Sequence, residues 1–289
     1  MKDLEASREN LFKYGYCVVR NLLSSEEIEY CKTAIEKVSA KMKADVVIGI
    51  HNHKECWNFI AHKKLLNIIK NLLGSEIRYL YVGATRREQK GDWFYAWHRD
   101  NTCRLFGIGP DWNKKELYNI VRAGIYLSPY DIANSGVNII PFSHKTRYSF
   151  SSLLRLFHWK TKNSNNLFIK MIRKNFEKFI GINIKTNPGD CVLFLAHVMH
   201  CGIPPTGPRK AIFLTYGTEN IHAENYVNYW IKHRPIDRPT VDSYDQFHAP
   251  VDNIIDLENF LKTNKIYYPI PEKKKFIEGI SIPKKNNLI

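Results

Sequence analysis

Residues 188–202 read PGDCVLFLAHVMHCG, and residues 207–217 read GPRKAIFLTYG. A Pro-Gly-Asp turn opens a buried-strand run that starts at Cys191, and a histidine, His200, follows it. A Gly-Pro turn then leads into a second β-branched and aromatic run that has Arg209 at its mouth. The same grammar recurs upstream. IRYLYVGATRRE (77–88), WFYAWHRD (93–100), VRAGIYLSPY (121–130) and GVNIIPF (136–142) are short apolar runs, most of them bounded by Gly, Pro, Asp or Asn. Many short strands fronted by helices suggest a mainly β fold, a sandwich or barrel with helical decoration.

The helices lie in front. In KYGYCVVRNLLSSEEIEY (13–30) a short β-prone run, Cys17 to Arg20, precedes Ser24 and Ser25. Either serine can cap a helix whose first turn carries Glu26 and Glu27. Ile28, Cys31, Ala34 and Ile35 continue it at helical spacing. A second helix is expected from about Lys63 to Leu73, stopped by Gly74. Further along, NLFIKMIRKNFEKFI (166–180) sets Phe168, Ile172, Phe176 and Phe179 on one face and Lys170, Lys174 and Lys178 on another. It reads as an amphipathic helix inserted between strands, a lid or flap.

Composition narrows the class. With 289 residues, 44% hydrophobic and 13% aromatic, the chain can bury a sizeable core, and bulk disorder is excluded. No stretch approaches the roughly 18 apolar residues of a membrane span. MKDLEASREN (1–10) lacks the apolar centre of a signal peptide, so a cytoplasmic location is expected. Cys17, Cys31, Cys56, Cys103, Cys191 and Cys201 form no CxxC pair and read as free thiols. The net charge of +15 is concentrated: residues 145–178 hold nine Lys/Arg against one acid, and residues 272–289 hold five Lys against two Glu. The chain carries none of the usual nucleic-acid motifs, so a nucleic-acid partner is not expected.

The chemistry starts at WHRDN (97–101). Residues two apart on a strand face one side, so His98 and Asp100 can reach one ion together. An HxD dipeptide alone says little; a third ligand from another strand gives it weight. His200 can supply one, and His197 is its rival, pointing to the opposite face of a regular strand. Two histidines and a carboxylate on one face of Fe(II) leave three positions for a co-substrate and O2. The guanidinium of Arg209 suits bidentate recognition of a carboxylate.

The order of these residues resembles the phytanoyl-CoA dioxygenase (PhyH-like) family of Fe(II)- and 2-oxoglutarate-dependent oxygenases. The likeness runs through KYGYCVVRNLLSSEEIE, WHRDN, NSGVNIIPFSHK and PGDCVLFLAHVMHCG with PRKAIFLTYG. It implies a double-stranded β-helix, a jelly-roll of the cupin type, spanning residues 1–289 as one domain. Residues 1–75 would be its support, 76–220 its core with a basic insertion at about 147–180, and 221–289 a helical extension with a basic tail. It also implies His98, Asp100 and His200 as iron ligands, and Arg209 as partner of the distal carboxylate of 2-oxoglutarate. Hydroxylation with decarboxylation of 2-oxoglutarate to succinate is the implied reaction. In related halogenases a small residue replaces the carboxylate ligand; Asp100 is a full carboxylate, which favours hydroxylation.

This chain departs from the family's pattern in three places. The interval from His200 to Arg209 is shorter than usual, Gly202 stands where many members have a hydroxyl, and Phe142 replaces the glycine of Pro-Gly-Ser-His.

Further candidates are Tyr81, as a donor to 2-oxoglutarate, and Trp97, Arg104 and Arg86, as substrate-side residues. Each has a plainer reading as a core side chain or a surface charge. Arg87 reads as an exposed charge and His144 as structural. The basic insertion favours an anionic substrate, small or carried on a lipid or nucleotide, or a peripheral contact with an anionic membrane. Two other classes compete. One is a non-catalytic sandwich that binds a polyanion; the other is a zinc hydrolase, for which the sequence supplies no evident general base.

Overall fold

The computed structural model describes residues 2–74, 76–90, 97–100, 118–145, 157, 161, 164, 166–220, 222–223, 226–227 and 259–264. The chain opens with helix α1 (Lys2–Tyr14), strand β1 (Tyr16–Val19) and helix α2 (Ser25–Met42). Ser24 is the cap: its hydroxyl accepts from the Glu27 N–H (3.2 Å), and the Glu27 carboxylate accepts from the Ser24 N–H (2.8 Å). This reciprocal box satisfies two amides that would otherwise lack partners at the helix start. Strand β2 (Val46–Ile48) and the one-turn helix α3 (Trp57–Ile60) lead to α4 (Lys63–Leu73), which ends at Gly74 as its sequence predicts.

The strands β3 (Ile77–Tyr79), β4 (Ala84–Glu88) and β5 (Ile120–Tyr126) follow. Then come a one-turn helix α5 (Tyr130–Ala133), β6 (Gly136–Ile139), helix α6 (Leu167–Ile180), β7 (Ile182–Lys185), β8 (Cys191–Leu195), β9 (His200–Gly202) and β10 (Arg209–Thr218). The larger sheet has the order β1-β8-β5-β10-β4-β2, with β3 also on β10; the smaller has the order β7-β6-β9. Among the described residues every pairing is antiparallel.

The run 77–88 is two strands rather than one, because the backbone turns at Tyr81, which holds a left-handed φ of 56°. The run from Cys191 to Gly202 also divides. β8 ends at Leu195 in the larger sheet, residues 196–198 turn, and His200 begins β9 in the smaller one. This crossing brings the two sheets face to face.

The larger sheet presents unlike faces. Register puts Val121, Ala123 and Ile125 beside Ile212, Leu214 and Tyr216. These pack with Leu11, Ile35, Leu65 and Ile69 of the helices in one apolar core. The opposite face carries Arg122, Gly124 and Tyr126 beside Ala211, Phe213 and Thr215, with Arg209 and Glu88 paired at its end. This second face meets the smaller sheet: the Phe194 ring lies 4.6 Å from that of His200. The result is the expected mainly antiparallel jelly-roll with flanking helices.

Gly136 and Gly189 are fixed by backbone geometry. Gly136, at φ 147°, lies so close to the Ile184 carbonyl that a Cβ would clash with it; Gly189, at φ 86°, forms the tight turn before β8. The Asp190 carboxylate beside it accepts from the Asn187 and Asn21 amides (2.8 and 3.0 Å) and pairs with Arg20 (2.7 Å).

In α6, Leu167, Phe168, Met171, Ile172 and Phe176 are exposed to solvent. Beyond residue 221 only short helical pieces belong to the described residues, so most of the expected C-terminal extension lies outside them. The cysteines among the described residues, Cys17, Cys31, Cys56, Cys191 and Cys201, are buried free thiols. Among the described residues no helix is long and apolar enough to cross a membrane.

Candidate metal centre

Residues 97–100 lie along the start of β9. The His98 N–H donates to the His200 carbonyl and the His200 N–H to the His98 carbonyl, each at 3.0 Å, while the Asp100 N–H donates to Ala196 (2.8 Å). This crossing fixes His98, Asp100 and His200 side by side. One ligand atom from each lies within 4.8 Å of the others. His98 Nε2 is 3.5 Å from Asp100 Oδ1, and His200 Nε2 is 3.7 Å from Asp100 Oδ2. Adjacent ligands around an octahedral ion with bonds of about 2.1 Å stand about 3 Å apart, so small side-chain movements close this set on a metal.

The protonation states suit ligation. His200 Nδ1 is 3.0 Å from the Val198 carbonyl, which only accepts, so Nδ1 carries the proton and Nε2 presents its lone pair. Burial lowers the His200 pKa and favours the neutral ring. Burial alone would raise the pKa of Asp100, but the charge of Arg122, with His200 and His98, outweighs it and holds the carboxyl well below its usual range. Two imidazoles and a carboxylate are the donor set of a facial iron triad, and the group fits such an ion.

The neighbouring candidates are sorted by which way the backbone turns them. His197, the rival ligand, is outside the cluster. It is half-buried, with its ring 4.0 Å from Tyr118 and 5.7 Å from His144. The turn at 196–198, rather than strand alternation, aims it away. Trp97 is buried against Ile140, Met199 and Cys201. Arg99 is also buried and donates to the His197 carbonyl (2.9 Å) and the Ser143 carbonyl (2.8 Å).

Arg209 is buried at the start of β10. Its Nε and Nη2 both meet Glu88 Oε2 (2.8 and 2.7 Å), and its Nη1 donates to the Asn134 and Ile203 carbonyls (2.9 and 2.6 Å). Arg86 shares this inner face. It lies 5.1 Å from the Phe213 ring centroid, touches Glu88 loosely at 3.6 Å, and has a buried Nε without a hydrogen-bond partner. Arg87 points the other way, onto Asp45 and Glu36 (both 2.8 Å), as a strand residue rather than a loop charge. Tyr81 packs edge-on against His51 (5.1 Å) and beside Tyr79 (5.5 Å). Arg104 lies outside the described residues.

Sequence reasoning passed over Glu88 and Arg122. Arg122, on β5, places Nε 2.9 Å from Asp100 Oδ2, as a charge contact rather than an aligned hydrogen bond. Its Nη1 donates to Thr215 Oγ1 (2.6 Å) and the Val82 carbonyl (3.0 Å). The available signal was a lone arginine inside the apolar run IVRAGIY, since a buried arginine needs a partner.

A model of the phytanoyl-CoA dioxygenase (PhyH) family matches residues 11–210, more than two thirds of the chain. No protein of curated function matches the sequence. Among solved structures, HygX from Streptomyces hygroscopicus, with nickel and 2-oxoglutarate bound, is similar at a TM-score of 0.56 and 19% identity, over 74% of this chain and 87% of HygX. SnoK, a non-haem α-ketoglutarate-dependent carbocyclase from nogalamycin biosynthesis, is similar at 0.55 and 16%, over 74% and 83%. EctD from S. alaskensis, with 2-oxoglutarate and 5-hydroxyectoine, is similar at 0.51 and 16%, over 74% and 75%. At these identities the structural likeness is one of fold.

Proposed function

The chain belongs to the phytanoyl-CoA dioxygenase family of non-haem iron, 2-oxoglutarate-dependent enzymes, and from that premise we propose that it hydroxylates an unactivated C–H bond of a small anionic molecule. The observation that carries the reading is the convergence of His98, Asp100 and His200 at the crossing of the two sheets. Bound together, iron and 2-oxoglutarate supply an oxidant drawn from O2, with release of succinate and carbon dioxide.

The chain's own residues hold and orient these groups. His98, Asp100 and His200 hold the iron, and the Val198 carbonyl fixes the His200 tautomer. We assign the distal carboxylate of 2-oxoglutarate to the wall made by Arg86, Glu88 and Arg209. Two cations against one carboxylate leave this wall one net positive charge. Arg209 is already paired with Glu88, so Arg86, with its buried and unbonded Nε, brings the charge that an incoming carboxylate can meet. Tyr126, Phe213, Val192 and Phe194 share the same face of the sheet and exclude water from it.

Anaerobic titration of the apo-protein with Fe(II), then 2-oxoglutarate, tests the reading. A weak visible charge-transfer band that saturates at one equivalent of 2-oxoglutarate is expected. A folded, iron-loaded protein that develops no band would overturn the assignment.

The anionic character of the substrate, and its delivery on a lipid or other carrier, are supported by α6 and the segment around it. Leu167 is 81% exposed and Phe168 63% exposed. The sequence of the same helix carries Lys170, Arg173, Lys174 and Lys178. Exposed apolar side chains on a helix of basic sequence suit the surface of an anionic bilayer. Sedimentation with phosphatidylglycerol vesicles is expected at low salt. It should weaken with added salt and in Phe168→Ser/Met171→Ser, and protein that stays in the supernatant at low salt would remove the membrane from the proposal.

A further inference from the structure

Arg122 is a cation inside the barrel, in contact with the carboxylate of the metal cluster. Its side chain is only 11% exposed and that of Asp100 only 9%. Several groups hold the guanidinium in place. Thr215 Oγ1 and the Val82 carbonyl accept from Nη1, and Tyr226 lies against it. Thr215 Oγ1 in turn donates to the same Val82 carbonyl (2.7 Å). An arginine fixed to strand β10 and to the turn before β4 cannot follow Asp100 if that side chain rotates. Asp100 must instead conform to Arg122.

The two oxygens of Asp100 are therefore unequal. Oδ2 faces the guanidinium at 2.9 Å, nearer than His200 Nε2 at 3.7 Å, whereas Oδ1 faces His98 Nε2 alone, at 3.5 Å. We infer that Arg122 is a positioning residue of the metal centre. It occupies Oδ2 so that Asp100 offers the metal Oδ1 alone, which keeps a further coordination position open for the two-atom chelation by 2-oxoglutarate. This inference rests on the oxygenase reading.

Charge points the same way. A cation this close to Asp100 attracts the incoming 2-oxoglutarate dianion, adding to the pull of the Arg86–Glu88–Arg209 wall on its distal end. Attraction of this kind is strong where water is largely excluded. The cation also opposes the bare metal, since both draw on the same carboxylate. Loss of Arg122 should thus leave metal affinity nearly unchanged while weakening 2-oxoglutarate. A merely structural arginine would give a different result, with loss of stability and of metal binding together.

The test compares wild type, Arg122→Met and Arg122→Lys. Thermal stability, Fe(II) affinity and the 2-oxoglutarate concentration that half-develops the charge-transfer band are measured without oxygen. Arg122→Met is expected to bind Fe(II) within about threefold of wild type and to need at least tenfold more 2-oxoglutarate. Arg122→Lys, which keeps the charge and is the milder change, is expected to fall between them. Unchanged 2-oxoglutarate affinity in either variant that folds would overturn the inference. Loss of metal binding in parallel with melting temperature, unrelieved in Arg122→Lys, would do the same by reducing Arg122 to a structural strut. Absence of the band in wild type would instead overturn the oxygenase reading itself, so the two failures are distinct.

Discussion

On one side of the crossing between residues 97–100 and 196–200 stand His98, Asp100 and His200; on the other stand Trp97, Arg99, His197 and Met199. The first side holds three ligand atoms close enough to share an ion. The second is a buried scaffold. Trp97 and Met199 pack with Ile140 and Cys201, and Arg99 ties the His197 carbonyl to that of Ser143. The Ser143 hydroxyl accepts from the Met199 amide (2.8 Å) and donates to the Ile140 carbonyl (2.6 Å). Both sides are rich in histidine and charge, so residue type does not separate them. Partners do: Arg99 donates to two backbone carbonyls, whereas Asp100 meets two imidazoles and a guanidinium.

The sharpest way to break this comparison is to exchange which histidine is lost. His200→Ala removes a direct ligand and is expected to weaken Fe(II) by at least ~100-fold, beyond the 10–100-fold typical of residues that only support a ligand. His197→Ala is expected to keep Fe(II) affinity within about threefold. Its cost is stability, about 1–2 kcal/mol because the side chain is only half-buried and so falls below the range for a fully buried one, read by denaturant unfolding. Burial, with His144, Arg99 and His222 nearby, holds the His197 pKa well below the usual range. The ring therefore acts as a neutral packing element. A His197→Ala protein that no longer binds iron would erase the distinction between the two sides.

Much of this arrangement was legible in the sequence. The HxD spacing placed His98 and Asp100 on one side, and the serine pair at 24–25 and Gly74 marked two helices. The route to His200 was not legible. Leu195 to Met199 contains no Gly, Pro or charged residue, so nothing local announces that the chain leaves one sheet and enters another there. β2 and β7 were also missed. They are three and four residues long, and β7 is mostly exposed, so it carries no buried alternation. Arg122 escaped for a different reason. Its partner Asp100 is set by the register of distant strands, and no motif links the two.

The smallest effect concerns Phe142, beside the serine that anchors the scaffold side. The sequence shows phenylalanine where the family has glycine, and the backbone there has a φ of 63°. A left-handed conformation costs a residue with a side chain about 1–2 kcal/mol. The Phe142 ring meets Tyr14 edge-on at 5.1 Å, and the Phe142 amide donates to the Tyr14 carbonyl (3.0 Å). An edge-to-face pair contributes about 0.5–1.5 kcal/mol, close to the strain it accompanies. Phe142→Ala keeps the strain and loses the ring contact, so a loss of about 1 kcal/mol is expected. Phe142→Gly loses the contact but relieves the strain, at about 0.5–1 kcal/mol of added chain entropy in the unfolded state, and should lie near wild type. Equal losses in the two variants would show that the ring contact alone matters at this turn. The expected gap between them would show that α1, through Tyr14, holds in place a turn whose backbone a glycine would adopt unaided.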